Sequence, residues 1–229
     1  MFPAPDPALD HLPLTERMRR WCVGRAWWWR LPLFVLLASQ VLKPLREQGD
    51  WTLFSGIIFG AHEFGHLFFA LGGEWLGVAG GSLMQLLVPI GALALVWKSR
   101  DWFGVAVVGL FLATSLAELS WYVADARTEM LDLVSFSPEG GIHDWNYLLG
   151  EAGLLKSDLR IARMLRFVAW ALLIVSSLLT ARLCVWMATE KPPKDPGDTT
   201  RPVRRPTDPR PTPGVSPAPE RPSRSRPPY

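Results

Sequence analysis

The stretch His62-Glu63-Phe64-Gly65-His66 has the residue types and spacing to carry out a reaction. Two histidines four residues apart on a helix differ by about 40° in direction and about 6 Å in height, so both imidazoles reach a single ion. Imidazole nitrogens suit zinc, and a carboxylate beside the first of them is placed to take a proton from a water that the metal has acidified. The expected roles are therefore metal ligation by His62 and His66 and general base for Glu63. Residues 51–71 around them are otherwise apolar and near the ~20 residues that cross hydrocarbon, a setting in which ionisable groups are costly and point to function. The alternative is that the three polar groups satisfy one another or face a water pocket.

A catalytic zinc takes three protein ligands and keeps one position open, so a third ligand must come from elsewhere. The chain has four histidines, His11, His62, His66 and His143. The candidates are His143, Asp144 and Asp125, with Asp132 weaker, and the sequence favours the His143-Asp144 pair and His143 within it. The competing reading makes Asp144 an N-cap, with a surface His143 before a helix that starts at Trp145. A second polar line, Ser115, Glu118, Tyr122 and Asp125, has helical spacing and should face the interior of a bundle. Glu118 on that line either supports a ligand histidine or makes a structural bond between helices. Gly56 and Gly60 form a small-xxx-small pair, expected to admit a neighbouring helix.

The elements that must hold these residues are apolar blocks. Of the 229 residues 49% are hydrophobic, an ordinary fraction, but they are concentrated in blocks and the charges fall at the ends and in connections. After a first apolar run at 31–42 come blocks at 51–71, 76–97, 102–121 and 167–187. Most of the twelve tryptophans sit at block edges, where an indole meets the headgroup layer. The expected fold is all-α: a polytopic membrane helical bundle of about five transmembrane helices. A basic flank occupies 1–25, the membrane-embedded part 26–189, and a disordered Pro/Arg-rich tail 190–229. The run at 31–42 is read as an uncleaved first span rather than a signal peptide, because the preceding region is long and no small-residue cleavage site follows. Residues 72–75 are so few that blocks two and three must form a helical hairpin.

Net charge +3 is too small and dispersed for a nucleic-acid partner, and Cys22 and Cys184 offer neither a disulfide framework nor a metal cluster. With five spans, the N-terminal flank and the large loop at 123–166 fall on one side, richer in Lys and Arg, and the tail falls opposite.

Placed in a span, His-Glu-Phe-Gly-His resembles the motif of the site-2 protease group of intramembrane zinc metallopeptidases, and more closely small bacterial proteins like that group. Over residues 51–155, Gly80-Gly81-Ser82, Gln85, Pro89, Tyr122 to Arg127 and His143-Asp144-Trp145 look like accompanying signatures. The group's Leu-Asp-Gly motif, which carries its third ligand, has no counterpart here; Leu131-Asp132-Leu133 is the nearest. The resemblance implies a zinc-dependent endopeptidase in the bacterial inner (cytoplasmic) membrane, multi-pass, whose partners are the lipid bilayer and a membrane protein or peptide substrate. The reading from another class is a non-catalytic membrane scaffold or regulator that uses the tail to bind partners.

Overall fold

The computed structural model describes residues 11–49, 51–131 and 143–190, all within the compact unit Met1–Pro192. Asp132 and the Pro/Arg-rich tail lie outside the described residues. Among those described the structure is helical, with no strand: α1 (Leu14–Cys22), α2 (Arg30–Arg46), α3 (Ser55–Phe69), α4 (Glu74–Lys98), α5 (Trp102–Ala124), α6 (Asp144–Glu151) and α7 (Asp158–Thr189). Short 3₁₀ turns at Ala70–Gly72 and Leu155–Ser157 follow α3 and precede α7.

Three helical stretches are long and apolar enough to cross a membrane: Glu74–Lys98, Trp102–Ala124 and Leu155–Thr189. This is fewer than the five blocks expected. Helices α2 and α3, at 17 and 15 residues, are shorter than those three. A block of apolar residues does not reveal how many of them become helix. Leu67, Leu71, Phe167 and Leu178 are each about two-thirds or more exposed, as suits an outer surface that meets hydrocarbon rather than water.

Helix α5 runs through the middle. Ala106, Gly109, Ala113 and Ala117 lie along one face and leave room for close packing; a methyl group on Gly109 would run into the Ser176 hydroxyl of α7. Leu110, Ala113 and Ala117 are fully buried in a core shared with Phe34 and Val41 of α2 and Ala169, Leu173 and Leu183 of α7. A tight turn joins α4 to α5. Arg100 adopts positive φ, and the Asp101 carboxylate caps α5 by accepting the Gly104 N–H at 3.0 Å.

Each of the two prolines inside helices has a neighbour's donor close by, and at Pro89 it meets the carbonyl the proline frees. A proline removes the N–H that would bond the carbonyl four residues back. Pro89 thus frees the Gln85 carbonyl, and the Ser115 hydroxyl of α5 donates to it at 2.9 Å. At Pro44 in α2, the Trp121 indole N–H donates to the proline's own carbonyl at 2.6 Å.

The ends of the bundle can be read from such contacts. At one end Trp29 meets Phe103 edge-on at 6.0 Å, Trp97 meets Trp102 at 5.3 Å, and Arg19 of α1 pairs with Glu190 just past α7. At the other end Trp121 lies against Pro44, the Arg166 guanidinium sits 3.9 Å above the Trp121 ring, and Arg127 pairs with Asp158 at 2.7 Å. The described parts of the N-terminal flank and of the large loop therefore occupy opposite ends, and α7 ends beside α1. That corrects the arrangement expected from five spans.

Candidate metal centre

The His62-Glu63-Phe64-Gly65-His66 motif lies in the second half of α3, packed antiparallel against the first half of α4. Glycines allow this closeness, though not the pair singled out from sequence. Gly56 and Gly60 are exposed, with open space where a Cβ would be. The close approach is between Gly65 and Gly80, where a Cβ on either would run into the other's carbonyl. At this separation Gly81 faces the imidazoles: a methyl group there would lie 2.5 Å from His66 Nε2 and 2.7 Å from His62 Nε2. The missing side chain leaves a hollow in front of both nitrogens.

The other ring nitrogens are fixed from behind. Gln85 donates its Nε2–H to the Ser115 carbonyl at 3.1 Å, so its Oε1 faces His62 Nδ1, 3.0 Å away, as an acceptor. His66 Nδ1 lies 2.9 Å from the Gly77 carbonyl, which can only accept. Both neutral rings therefore carry their proton on Nδ1 and present a bare Nε2. The third atom of the group is Asp144 Oδ2, at 3.1 Å from His62 Nε2 and 3.3 Å from His66 Nε2. With both rings neutral, three electron-pair donors converge with no hydrogen between them, so the group calls either for a cation or for a proton on an imidazole paired with Asp144. The separations match the edge of about 3.3 Å expected between ligands about 2.0–2.1 Å from a tetrahedral zinc. His62, His66 and Asp144 could together hold a metal ion.

His143, the third ligand favoured from sequence, takes another position. It is the N-cap of α6: its Nδ1 accepts the Asn146 N–H at 3.2 Å, its ring packs at 4.5 Å from that of Tyr122, and its Nε2 is 3.5 Å from Asp125 Oδ2. The capping role that sequence offered to Asp144 thus belongs to His143, which is buried rather than on the surface. Consecutive residues at a helix start differ by ~100° in direction, so with His143 turned toward Asp125, Asp144 points at α3. The Asp144 N–H donates to the Tyr122 hydroxyl at 3.1 Å, and the Trp145 indole donates to Ser82 at 3.0 Å, tying α6 to α5 and α4.

Asp125 is not near the pair of α3 histidines. Its carboxylate accepts from the Thr128 hydroxyl at 2.6 Å and from the Met130 and Leu131 N–H groups at 2.9 Å each. Burial pushes its pKa up, but these bonds and His143 outweigh that and hold it below the ordinary carboxylate value.

Glu63 lines a cavity of about 330 Å³ next to His62, with Gln85, Tyr122 and Glu118 among the other walls. Among the described residues it has no hydrogen-bond partner, leaving its carboxylate available to a molecule in the cavity. Glu118 accepts from the Ser55 hydroxyl at 2.6 Å and does not bond to the histidines, so of its two expected roles it takes the interhelical one. The polar line on α5 does face inward: Ser115 meets Gln85, Glu118 meets Ser55, Tyr122 meets Asp144, and Asp125 meets His143.

Gln85 and Gly81 were legible only as parts of the resemblance; their orienting and space-making roles depend on the α3–α4 register. No family model matches the chain, and no curated protein or solved structure matches it either.

Proposed function

We propose that the protein is an intramembrane zinc-dependent endopeptidase acting on membrane-associated polypeptides, a multi-pass protein of the bacterial inner membrane. The observation that supports this most directly is the convergence of His62 Nε2, His66 Nε2 and Asp144 Oδ2, each histidine held in one tautomer from behind. The zinc ligands in this reading are His62, His66 and Asp144, with Asp144 replacing His143. Bound zinc would supply a Lewis acid that polarises a carbonyl and acidifies a water. Glu63 accepts the proton that water loses as its oxygen bonds to the scissile carbon, and passes a proton to the amine nitrogen as the C–N bond breaks. The apolar walls of the cavity, among them Pro44, Ile58, Phe59 and Leu119, receive an apolar side chain of the substrate beside Glu63.

The test compares the membrane proteomes of cells expressing the wild-type chain and Glu63→Gln. Fragments of membrane proteins should appear with wild type and fall by 10² or more with Glu63→Gln, the usual scale for losing a general base. Should Glu63→Gln be silent while removal of residues 191–229 alters the phenotype, the scaffold or regulator reading replaces the peptidase.

A further inference from the structure

The depth at which α3 begins does not fit a crossing helix. Pro44, near the end of α2, is bonded to Trp121 near the end of α5, whereas Phe54, ten residues later in sequence, stacks on Phe111 in the middle of α5 at 5.3 Å. From there α3 runs back: Ser55 meets Glu118, His62 meets Tyr122, and its last turns lie against Gly77 and Gly80 in the first turns of α4. Helices α2 and α3 thus point the same way, and residues 47–54 return the chain only to mid-depth between them. At 15 residues, α3 is about 22 Å long, against ~30 Å of hydrocarbon. Non-helical backbone at such depth needs protein partners or a water-filled cavity. Gln48, Gly49 and Trp51 line the 330 Å³ cavity, and the Thr52 N–H donates to the Ser55 hydroxyl at 2.9 Å.

Helices α4 and α5 and the stretch through α7 are long enough to cross; α2, at only 17 residues, reaches from Trp29 at one end to Pro44 at the other by its contacts, and counting it with them gives an even number of crossings. Basic residues then decide orientation. At the end holding α1 are Arg17, Arg19, Arg20, Arg25 and Arg30, then Lys98 and Arg100 between α4 and α5. Five more Lys or Arg follow within 15 residues of Glu190, in a stretch with no apolar run that could cross again. The other end has Lys43 and Arg46, Arg127 and Lys156, and three arginines on the first turns of α7. Seven of these basic residues stand at each end, and the five that follow Glu190 in sequence tip the balance, marking the α1 end as cytoplasmic.

We infer that α3 is a re-entrant half-helix in a four-crossing bundle with the start of α1 and the end of α7 on the cytoplasmic side, so that the His62–His66–Asp144 cluster is entered from the extracytoplasmic face and its substrates are polypeptide segments presented there. The substrate class rests on the peptidase reading; the topology does not.

The test labels intact bacterial cells expressing the full chain with a membrane-impermeant maleimide, using single additions Thr15→Cys in α1, Glu151→Cys at the end of α6 and Ser225→Cys in the tail. The parent chain, with Cys22 and Cys184 buried, gives the background. Glu151→Cys should be labelled in intact cells, and Thr15→Cys and Ser225→Cys only after permeabilisation. Labelling of Thr15→Cys and Ser225→Cys from opposite faces would overturn the even count. Labelling of both in intact cells, with Glu151→Cys protected, would overturn the orientation, and Glu151→Cys behaving like Thr15→Cys would overturn the placement of the site. The expected labelling together with a silent Glu63→Gln would leave the topology standing and retire the substrate class.

Discussion

The two ends of the bundle are built on different principles. Around α1 and the start of α5, aromatic and aliphatic packing dominates beside the Arg19–Glu190 ion pair: Trp29 lies on Phe103, Trp97 on Trp102, and the Arg25 guanidinium 4.3 Å above Trp21. Such packing is tolerant, because one shape that fills the space can replace another. Around the second half of α3, contacts are polar and directional, each histidine held by one acceptor and room made by glycines that have no substitute. The first region stabilises and the second positions, so substitutions should damage stability in one and metal binding in the other.

The sharpest separation is expected from Gly81→Ala against Gly60→Ala. The first puts a methyl group into the hollow before both Nε2 atoms and should abolish zinc binding; the second faces open space and should leave it unchanged. Zinc content of the two purified variants checks this, and equal content would show that the hollow is not the site. Next, Gln85→Leu removes the acceptor behind His62 and should weaken zinc about 10- to 100-fold, read by chelator competition. At the packed end, Leu110→Ala opens a cavity in the α2–α5–α7 core and should cost ~2 kcal/mol or more, read as a lower unfolding temperature with zinc stoichiometry intact. Loss of zinc in that variant would blur the division between the two regions. The smallest effect is that of His143→Ala, which deletes the cap of α6 at about 1 kcal/mol and should lower zinc affinity several-fold, with His143→Asn, a capping residue, recovering most of it.

What the sequence revealed and what it hid divides along the same physical line. His62 and His66 were legible because their relation is set by one helix, and helical spacing alone brings their rings together at 4.8 Å. The third member of the His62–His66 group was hidden because His143 and Asp144 are adjacent, and which of them faces α3 depends on how α6 starts and on Asp125 and Tyr122 from another helix. The all-helical character followed from apolar blocks, but hydropathy counts residues and is blind to depth, so nothing local to Phe54 reveals that it meets the middle of α5. Similarly, Gly56 and Gly60 had the spacing of a packing pair, and spacing does not say which face of α3 meets α4.

The most direct test of the metal centre is elemental analysis of the detergent-purified chain with its Asp144→Ala and His143→Ala variants. The expected result is near-stoichiometric zinc in wild type, its loss in Asp144→Ala and its retention in His143→Ala. A wild type without zinc, or zinc lost with His143 and kept without Asp144, would contradict the assignment.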